Sequence, residues 1–319
     1  MTKKWVYSPL SLLKLSIQQD FKKVSYRILV STLTAEECSA IGLKELSPGH
    51  FRIPCASTVH HFVHERLTVD GYEALMLTLG KMVCKHIHGA TGAIDSTPIP
   101  AAIHDSFAEF NIHYGQKMYK LHIFHYGPFP LVAIFSDGCD YDGNFASDLA
   151  DKVLPMTPIL KKLLMDGAYD SFHIHAYLWY RFKIIPLIAF RENAVLNIEG
   201  TETRINHWVN KYWEEGGDVY VSLPDKLEFL CEHGKEEQVG AYVRNQNISN
   251  QNFEKECKLR GFCERTHRHM KATCNFNVQG IRNESKKLYM MKRFVSYQFI
   301  LFTNIKRGMP NIQHSSRYI

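Results

Sequence analysis

Hydrophobic and polar positions follow two different patterns along the chain. Over residues 1–90 the apolar side chains recur at helical spacing, as at Leu10, Leu13, Ile17 and Phe21. From residue 91 onward this spacing gives way to short apolar runs separated by turn residues. We therefore predict a helical N-terminal domain over 1–90, followed by an α/β region, and the helical domain is equally compatible with DNA binding and with plain packing.

The α/β region, 91–190, contains five runs that predict strands: 93–99, 119–124, 131–135, 162–165 and 184–188. Two segments with helical patterns, 144–154 and 171–182, lie on either side of the fourth run. Pro186 has no backbone N–H, so the fifth strand is expected at an edge of a sheet. The pattern predicts a five-stranded sheet with flanking helices.

Two further segments complete the predicted organisation. Residues 191–255 contain a Gly-Gly break and an alternating stretch at 219–223, which indicates an inserted and partly β subdomain. Its Trp208 and Trp213 fit either stacking on an extruded base or core packing, and core packing is favoured. Residues 256–319 are predicted to form a strongly polar helix and further C-terminal helices.

Composition and charge narrow the class of protein. The chain has 319 residues, 45% of them hydrophobic and 22% charged, which is typical of a globular protein with one large domain or two smaller ones. Its net charge of +6 permits a polyanionic partner without requiring one. Eight scattered cysteines without a CxxC pair favour a reducing, cytoplasmic location. Because no apolar run approaches the roughly 18–20 residues of a membrane helix, we expect no membrane partner.

The polar segment 259–271, LRGFCERTHRHMK, sets one acid among several bases. At roughly 100° per residue, Arg260, Glu264 and Lys271 fall within about a 40° sector of one helix face, joined by His267 and flanked by Arg268. Apolar or small side chains are expected on another side: Leu259, Phe262, Cys263, Thr266 and Met270. A carboxylate framed by bases predicts a contact with phosphate, which the bases Arg260, Arg268 and Lys271 are expected to make.

Two more carboxylates stand at strand-like positions, Asp95 in IDSTPI and Asp166 in LLMDGAYDS. A buried carboxylate is unfavourable unless it is paired or binds a metal. Each acid alone also has an ordinary interpretation: Asp95 as a strand-end residue, Asp166 as part of a turn, and Glu264 as part of a solvated helix face. Taken together they predict a site for divalent metal, and Mg²⁺ prefers carboxylate oxygens.

These three motifs, in this order, resemble the DDE transposases of bacterial and archaeal insertion sequences, in the branch with a Y-x2-R-x3-E-x6-K signature. The resemblance covers most of the chain. It implies that Asp95, Asp166 and Glu264 are the catalytic, metal-binding triad, and that Arg260 and Lys271 are the basic members of the signature. It also implies an RNase H-like mixed sheet in which the first and fourth strands are neighbours.

The resemblance further implies a function. Proteins of this kind cleave DNA at transposon ends and transfer the strand into target DNA, with two Mg²⁺ ions that Mn²⁺ can replace. The implied partners are double-stranded DNA, as terminal inverted repeats and target, and a second copy of the chain on that DNA. The implied location is the cytoplasm, on the nucleoid when DNA is bound.

One position departs from the signature, because Cys257 occupies the tyrosine slot. This departure supports an alternative in which the chain is a catalytically decayed or domesticated DNA-binding protein, and a nuclease of the same fold is a third possibility. Asp170, four residues after Asp166, is expected to cap the next helix rather than to join the triad. The acidic residues between 137 and 148, including Asp142, are expected to form turns.

Overall fold

A computed structural model describes residues 6–87, 91–191, 194, 201–212, 222–248, 250–276 and 283–309. The helices are α1 Pro9–Lys22, α2 Tyr26–Ser31, α3 Ala35–Ile41, α4 Ala56–His61, α5 Thr68–Cys84, α6 Ala146–Val153, α7 Phe172–Phe182, α8 Thr201–Tyr212, α9 Leu223–Glu232, α10 Glu236–Gln246, α11 Phe253–Cys257, α12 Gly261–Cys274 and α13 Asn283–Lys306. The strands are β1 Glu45–Ser47, β2 His50–Phe51, β3 Thr91–Pro100, β4 Glu109–Asn111, β5 Gln116–Tyr126, β6 Phe129–Asp137, β7 Lys162–Met165 and β8 Leu187–Ile188.

The main sheet is mixed, with the order β4-β5-β3-β7-β8 and with β6 paired to β5. Strand β3 runs parallel to β7, and β7 runs parallel to β8, so the predicted neighbours are confirmed. Strand β8 ends the order, as the proline at 186 predicts. The sheet has six strands rather than five. The extra strand, β4, was missed because three residues are too short to display an alternating pattern.

One compact unit comprises Cys84–Pro98 and Lys120–Arg265. Its strands are buried on both faces, and β6 in particular begins with five consecutive buried residues, which explains its unbroken apolar run. A hydrophobic cluster joins one side chain from each of five elements: Ala93, Leu164, Leu187, Phe253 and Cys263. Packing among β3, β7, β8, α11 and α12 therefore places the elements that carry the three predicted acids in one neighbourhood.

The described residues of Met1–Val83, Ile99–Tyr119 and Thr266–Ile319 form the second unit, which is mainly helical. Thr34 and Glu37 form the predicted capping box at the start of α3. The prediction of helix throughout 1–90 is wrong at β1 and β2, which form an antiparallel hairpin. Gly49, with φ of +76°, makes the tight turn of that hairpin, and such a backbone conformation favours glycine over a helix former.

The described parts of segment 201–248 are helical, with α8, α9 and α10 packed around a shared apolar cluster. Trp208 packs against this cluster, as the core interpretation predicts. Trp213 and most of the alternating stretch at 219–223 lie outside the described residues. None of the described helices is both long enough and apolar enough to cross a membrane.

Candidate active site

Asp95 and Asp166 come from the paired strands β3 and β7. Asp95 lies within β3 and is buried, with 6% of its surface exposed. Asp166 follows the last residue of β7 directly and accepts a hydrogen bond on Oδ1 from the Ala168 backbone N–H at 2.9 Å. Ala93 pairs in register with Leu164, so the two acids, each two residues further on, lie side by side. The parallel pairing therefore brings together carboxylates that are 71 residues apart in sequence.

The Arg260 guanidinium lies between these two carboxylates. Its Nη1 is 2.7 Å from Oδ1 of Asp95 and 3.6 Å from Oδ2 of Asp166. Arg260 belongs to a short 3-10 turn, Lys258–Arg260, that connects α11 to α12. Both carboxylates thus face one position, which a positive charge occupies.

Burial and charge have opposite effects on the groups of this site. The pKa of Asp95 is raised to about 7, mainly by burial, with the neighbouring carboxylates of Asp166 and Asp142 acting in the same direction and Arg260 acting against them. Burial lowers the pKa of Arg260, but Asp95, Asp166 and Glu264 raise it, and the net direction is upward. The carboxyl group of Asp95 therefore depends on a nearby cation in order to ionise.

Glu264 does not join the two aspartates. It is exposed on the first turn of α12 and borders an open cleft of about 800 Å³, which Arg260, Cys257 and Met165 also border. Across the part of the chain that is described, no group of three or more His, Cys, Asp or Glu side chains is close enough to bind a metal ion. The structure thus unites two of the three predicted ligands, and the third lies at the edge of the adjoining cleft.

The polar face predicted for 259–271 is only partly correct. Glu264 and Arg268 are exposed and Lys271 is half-buried, but His267, assigned to the same face, is buried. Leu259, predicted to be on the apolar side, is 51% exposed. The α-helix begins at Gly261, and the 3-10 turn before it has a different angular spacing. The buried stripe contains Cys263, Thr266 and Met270 as predicted, and His267 and Cys274 in addition.

The sequence did not indicate two neighbours of the paired acids. Asp142 begins a 3-10 turn, as expected of a turn residue, but its carboxylate also accepts hydrogen bonds from Ser96 Oγ at 2.8 Å and Lys120 Nζ at 2.9 Å. Tyr169 is fully buried, and its hydroxyl has no hydrogen-bond partner among the described residues. Burial and three nearby acids raise its pKa well above the usual value. Sequence spacing does not indicate these contacts, because the residues involved belong to separate elements: Ser96 to β3, Lys120 to β5 and Tyr169 to the turn after β7.

Asp170 does not cap the next helix. Ser171 is the cap of α7 and accepts a hydrogen bond from the Ile174 N–H, whereas the Asp170 carboxylate binds Arg244. The prediction is therefore wrong in the residue that caps α7, although the helix begins where it was expected. Both residues have a short side chain that can accept from a backbone N–H, so the sequence left the choice to tertiary contacts.

A mixed sheet with flanking helices and paired acids on adjacent parallel strands defines an RNase H-like domain. The family model of the transposase DDE domain matches residues 89–299, well over half of the chain. The chain therefore belongs to the transposase DDE domain family, whose members process nucleic acid and generally use divalent metal ions. No curated protein and no solved structure matches the chain.

Proposed function

We propose that this chain is an active transposase that cuts DNA at transposon ends and joins the freed strand to target DNA, with Asp95, Asp166 and Glu264 as its metal ligands. The observation that carries the proposal is the convergence of Asp95 and Asp166 on one cationic group, the Arg260 guanidinium. Two carboxylates that face the same positive charge from adjacent strands supply two of the ligands that a bound metal ion would need.

The donor set fits magnesium, with manganese as a substitute. Carboxylate oxygens are the ligands that Mg²⁺ prefers, and it retains several waters, so few protein groups are needed. Two such ions, when bound, would activate a water or a 3′-hydroxyl for attack on phosphorus and stabilise the leaving oxygen. The protein's own contribution is to hold Asp95 and Asp166 side by side on parallel strands and to present Glu264 from α12.

Arg260 has two parts in this proposal. In the free protein its guanidinium neutralises Asp95 and Asp166, and it has to leave them before a metal ion can bind there. A DNA phosphate offers it an alternative anionic partner, because arginine binds phosphate well. We propose that this exchange links DNA binding to metal binding. Glu264, whose charge already affects the pKa of Arg260, is then free to approach the aspartates.

Arg268 and Lys271 extend the proposed DNA contact along α12. Arg268 is exposed and Lys271 is half-buried, with a pKa lowered by burial. Phosphate contacts of this kind are independent of base sequence and weaken with salt. By analogy with the family, the proposal includes a dimer that bridges two terminal repeats and a cytoplasmic location on the nucleoid. Sedimentation of the protein–DNA complex at defined stoichiometry measures the dimer directly.

A DNA-binding protein without cutting activity is the second candidate function. The specific observation in its favour is Cys257, which stands in the tyrosine slot of the family signature and borders the cleft beside Arg260. A thiol cannot provide the aromatic ring and hydroxyl that tyrosine offers to DNA. A nuclease that cuts but does not join would have the same acids and would differ only in its products.

The test compares Asp95→Ala, Asp166→Ala and Glu264→Ala with the parent, using Mg²⁺ and DNA that carries the inverted repeats flanking the coding region. Loss of a metal ligand is expected to lower the rate of nicking on the order of 10³-fold, since metal stabilisation of the transition state amounts to several kcal/mol. Binding to the same DNA with EDTA present should change little.

Glu254 supplies the matched control, because it is an exposed acid that borders the same cleft. Glu254→Ala is expected to cut like the parent. Products are scored separately as nicked and joined strands, which distinguishes a transposase from a nuclease. A parent protein that binds the repeats but never cuts them would favour the second candidate, and triad variants that cut normally would refute the assignment of the ligands.

A further inference from the structure

The turn that follows Asp166 is anchored at its far end by an arginine from the inserted segment. Arg244, on α10, binds Asp170 with both arms of its guanidinium: Nε donates to Oδ1 at 2.8 Å and Nη2 donates to Oδ2 at 2.8 Å. This two-point geometry fixes the direction of the carboxylate as well as its position. His175 Nε2 lies 3.5 Å from the same Oδ1.

The Arg244–Asp170 pair is sealed from solvent. The side chains are 5% and 4% exposed, and the guanidinium also lies over the rings of Phe172 and Phe190, 5.7 Å and 4.9 Å from their centroids. Burial raises the pKa of Asp170, but His175 and Arg244 lower it, and the net direction is downward. The carboxylate is therefore ionised at neutral pH and pairs with Arg244 as a charged group.

Helix α10 approaches the start of α7 closely enough to hold Arg244 in place. A Cβ atom at Gly240 would lie 1.9 Å from the Phe172 carbonyl oxygen, so only glycine fits at this contact. A second arginine holds the same turn from its other side, because Arg191 Nε donates to the Gly167 carbonyl at 3.0 Å. The turn from Asp166 to Asp170 is thus held by two arginines that come from outside it.

Asp166 is oriented by this turn. Its Oδ1 accepts from the Ala168 N–H, which leaves Oδ2 directed toward Arg260, 3.6 Å away. Any movement of the turn would move the Ala168 N–H and rotate the Asp166 carboxylate with it. Because Asp170 ends the turn, its anchor on Arg244 limits that movement.

We propose that Arg244 is a positioning residue for the active site, acting through Asp170 and the turn to fix the direction of Asp166. The inserted segment is then more than a structural addition, since it determines the geometry of one metal ligand. The inference rests on the proposed function, because it assumes that Asp166 binds metal. Stability alone does not explain a buried ion pair, since a well-packed apolar replacement is often as stable.

The experiment measures Mn²⁺ affinity by electron paramagnetic resonance on the full chain bound to an end duplex, together with unfolding in urea. Asp170→Asn/Arg244→Met removes both buried charges and preserves most of the volume. Arg244→Lys preserves the charge but loses the two-point geometry. Both variants are expected to bind Mn²⁺ about 10–100-fold more weakly, the usual effect of removing a group that orients a metal ligand.

Lys183→Ala is the matched control. Lys183 follows the last residue of α7 and forms an exposed ion pair with Glu228 on α9. This variant should leave Mn²⁺ affinity unchanged. A merely structural role for Arg244 predicts a lower urea midpoint with unaltered Mn²⁺ affinity. The inference is overturned if either Arg244 variant folds and binds Mn²⁺ with the affinity of the parent. If the double variant does not fold, Arg244→Lys alone decides the test.

Asp166→Ala separates this inference from the proposed function. If Asp166→Ala binds Mn²⁺ like the parent, the metal site itself is wrong. If Asp166→Ala loses Mn²⁺ while both Arg244 variants retain it, the metal site stands and only the positioning role is refuted.

Discussion

Two regions of this protein bury opposite charges, and they do so in different ways. In the helical unit, Lys292 lies 2.6 Å from Asp20, with side chains 0% and 2% exposed, and Lys286 lies 2.5 Å from Asp105, with side chains 1% and 6% exposed. At the candidate active site, Arg260 is 25% exposed and Asp166 is 34% exposed. The first region is closed to solvent, and the second is open to it on the side of Arg260 and Asp166, while the Asp95 side chain is 8% exposed.

The difference indicates which ion pairs stabilise the fold and which can exchange partners. A closed pair cannot lose one member without leaving an isolated buried charge. In an open pair, water and dissolved ions compete with each charged group for its partner, so the pair contributes little to stability and can be exchanged. The basic residues Lys286 and Lys292 are therefore structural, whereas the partly exposed Arg260 fits the exchange with phosphate that is proposed above.

The largest expected effect concerns the closed pair. Lys292→Met removes the nearer of the two cations beside the buried Asp20 carboxylate and leaves Arg293 Nε 3.9 Å away, so the free energy of unfolding should fall by about 3–5 kcal/mol. Urea unfolding followed by circular dichroism measures the loss. The double variant Asp20→Asn/Lys292→Met, which removes both charges, should recover most of it. A loss below about 1 kcal/mol for Lys292→Met would mean that the pair is not closed in solution.

Next in size is the pH dependence of stability that results from His122, a buried histidine whose Nδ1 lies 3.7 Å from Asp142 Oδ1. Burial lowers the pKa of His122 to about 4, against the raising effect of Asp142, and its Nε2 lies 2.8 Å from Ser136 Oγ. Below pH 6.5 the unfolded chain binds a proton that the folded chain does not, so stability is lost as the pH falls toward 4.

The measurement compares the parent with His122→Gln in urea at pH 7 and pH 4.5. The parent should lose about 2–3 kcal/mol more than the variant over this interval. Both proteins contain the same carboxylates, so acid effects common to them cancel in the comparison. Equal losses in the two proteins would show that His122 is protonated when folded.

The open pair itself should respond in metal binding rather than in stability. Arg260→Ala is expected to bind Mn²⁺ about tenfold more tightly without DNA, a change of about 1.4 kcal/mol, because the competing guanidinium is gone. Removal of one phosphate contact should also reduce the salt dependence of DNA binding by about 0.9 in log–log slope. Calorimetric titration and filter binding at several salt concentrations measure the two effects.

Lys258 is the control for the metal effect, since it is an exposed base that borders the same cleft. Lys258→Ala should leave Mn²⁺ affinity unaltered. Weaker Mn²⁺ binding by Arg260→Ala would contradict the competition between guanidinium and metal, and would make the Arg260 pair structural like Lys292.

The smallest effect is expected at Cys257. Cys257→Tyr restores the family signature at a half-buried position on the border of the cleft. One added hydrogen bond to DNA corresponds to about 1 kcal/mol, or roughly fivefold in affinity for end DNA. Cys257→Phe lacks the hydroxyl and should gain less. Equal gains by Tyr and Phe would assign the effect to the ring alone.

Much of the core fold could be predicted from sequence because its strands are long or continuously apolar. The predicted strand at 162–165 coincides with β7. Strand β8 lies at the end of the strand order, as predicted from Pro186 directly before it. The hairpin β1–β2 and the strand β4 were missed, since strands of two or three residues have too few positions to show a period.

The acidic residues of the candidate site were predicted from sequence, but the ion pairs that they form were not. The motifs of the family predicted Asp95, Asp166 and Glu264 as ligands, and the parallel pairing of β3 with β7 confirmed that the two aspartate strands are neighbours. No spacing in the sequence indicated that Arg260 would bridge these aspartates, or that Arg244 would bind Asp170 across 74 residues. Whether Glu264 joins them as a ligand stays a prediction.

The sequence by itself determined the class of fold and the order of the core elements, and it predicted the three acids, because local periodicity and short motifs are properties of neighbouring residues. Tertiary structure alone decided which charges are paired, since burial and partner distance depend on elements far apart in the chain. That is why Lys292 and Arg260, both bases in polar helical segments, differ in role: one lies against Asp20 in a closed interior, and the other lies at an open cleft between two carboxylates.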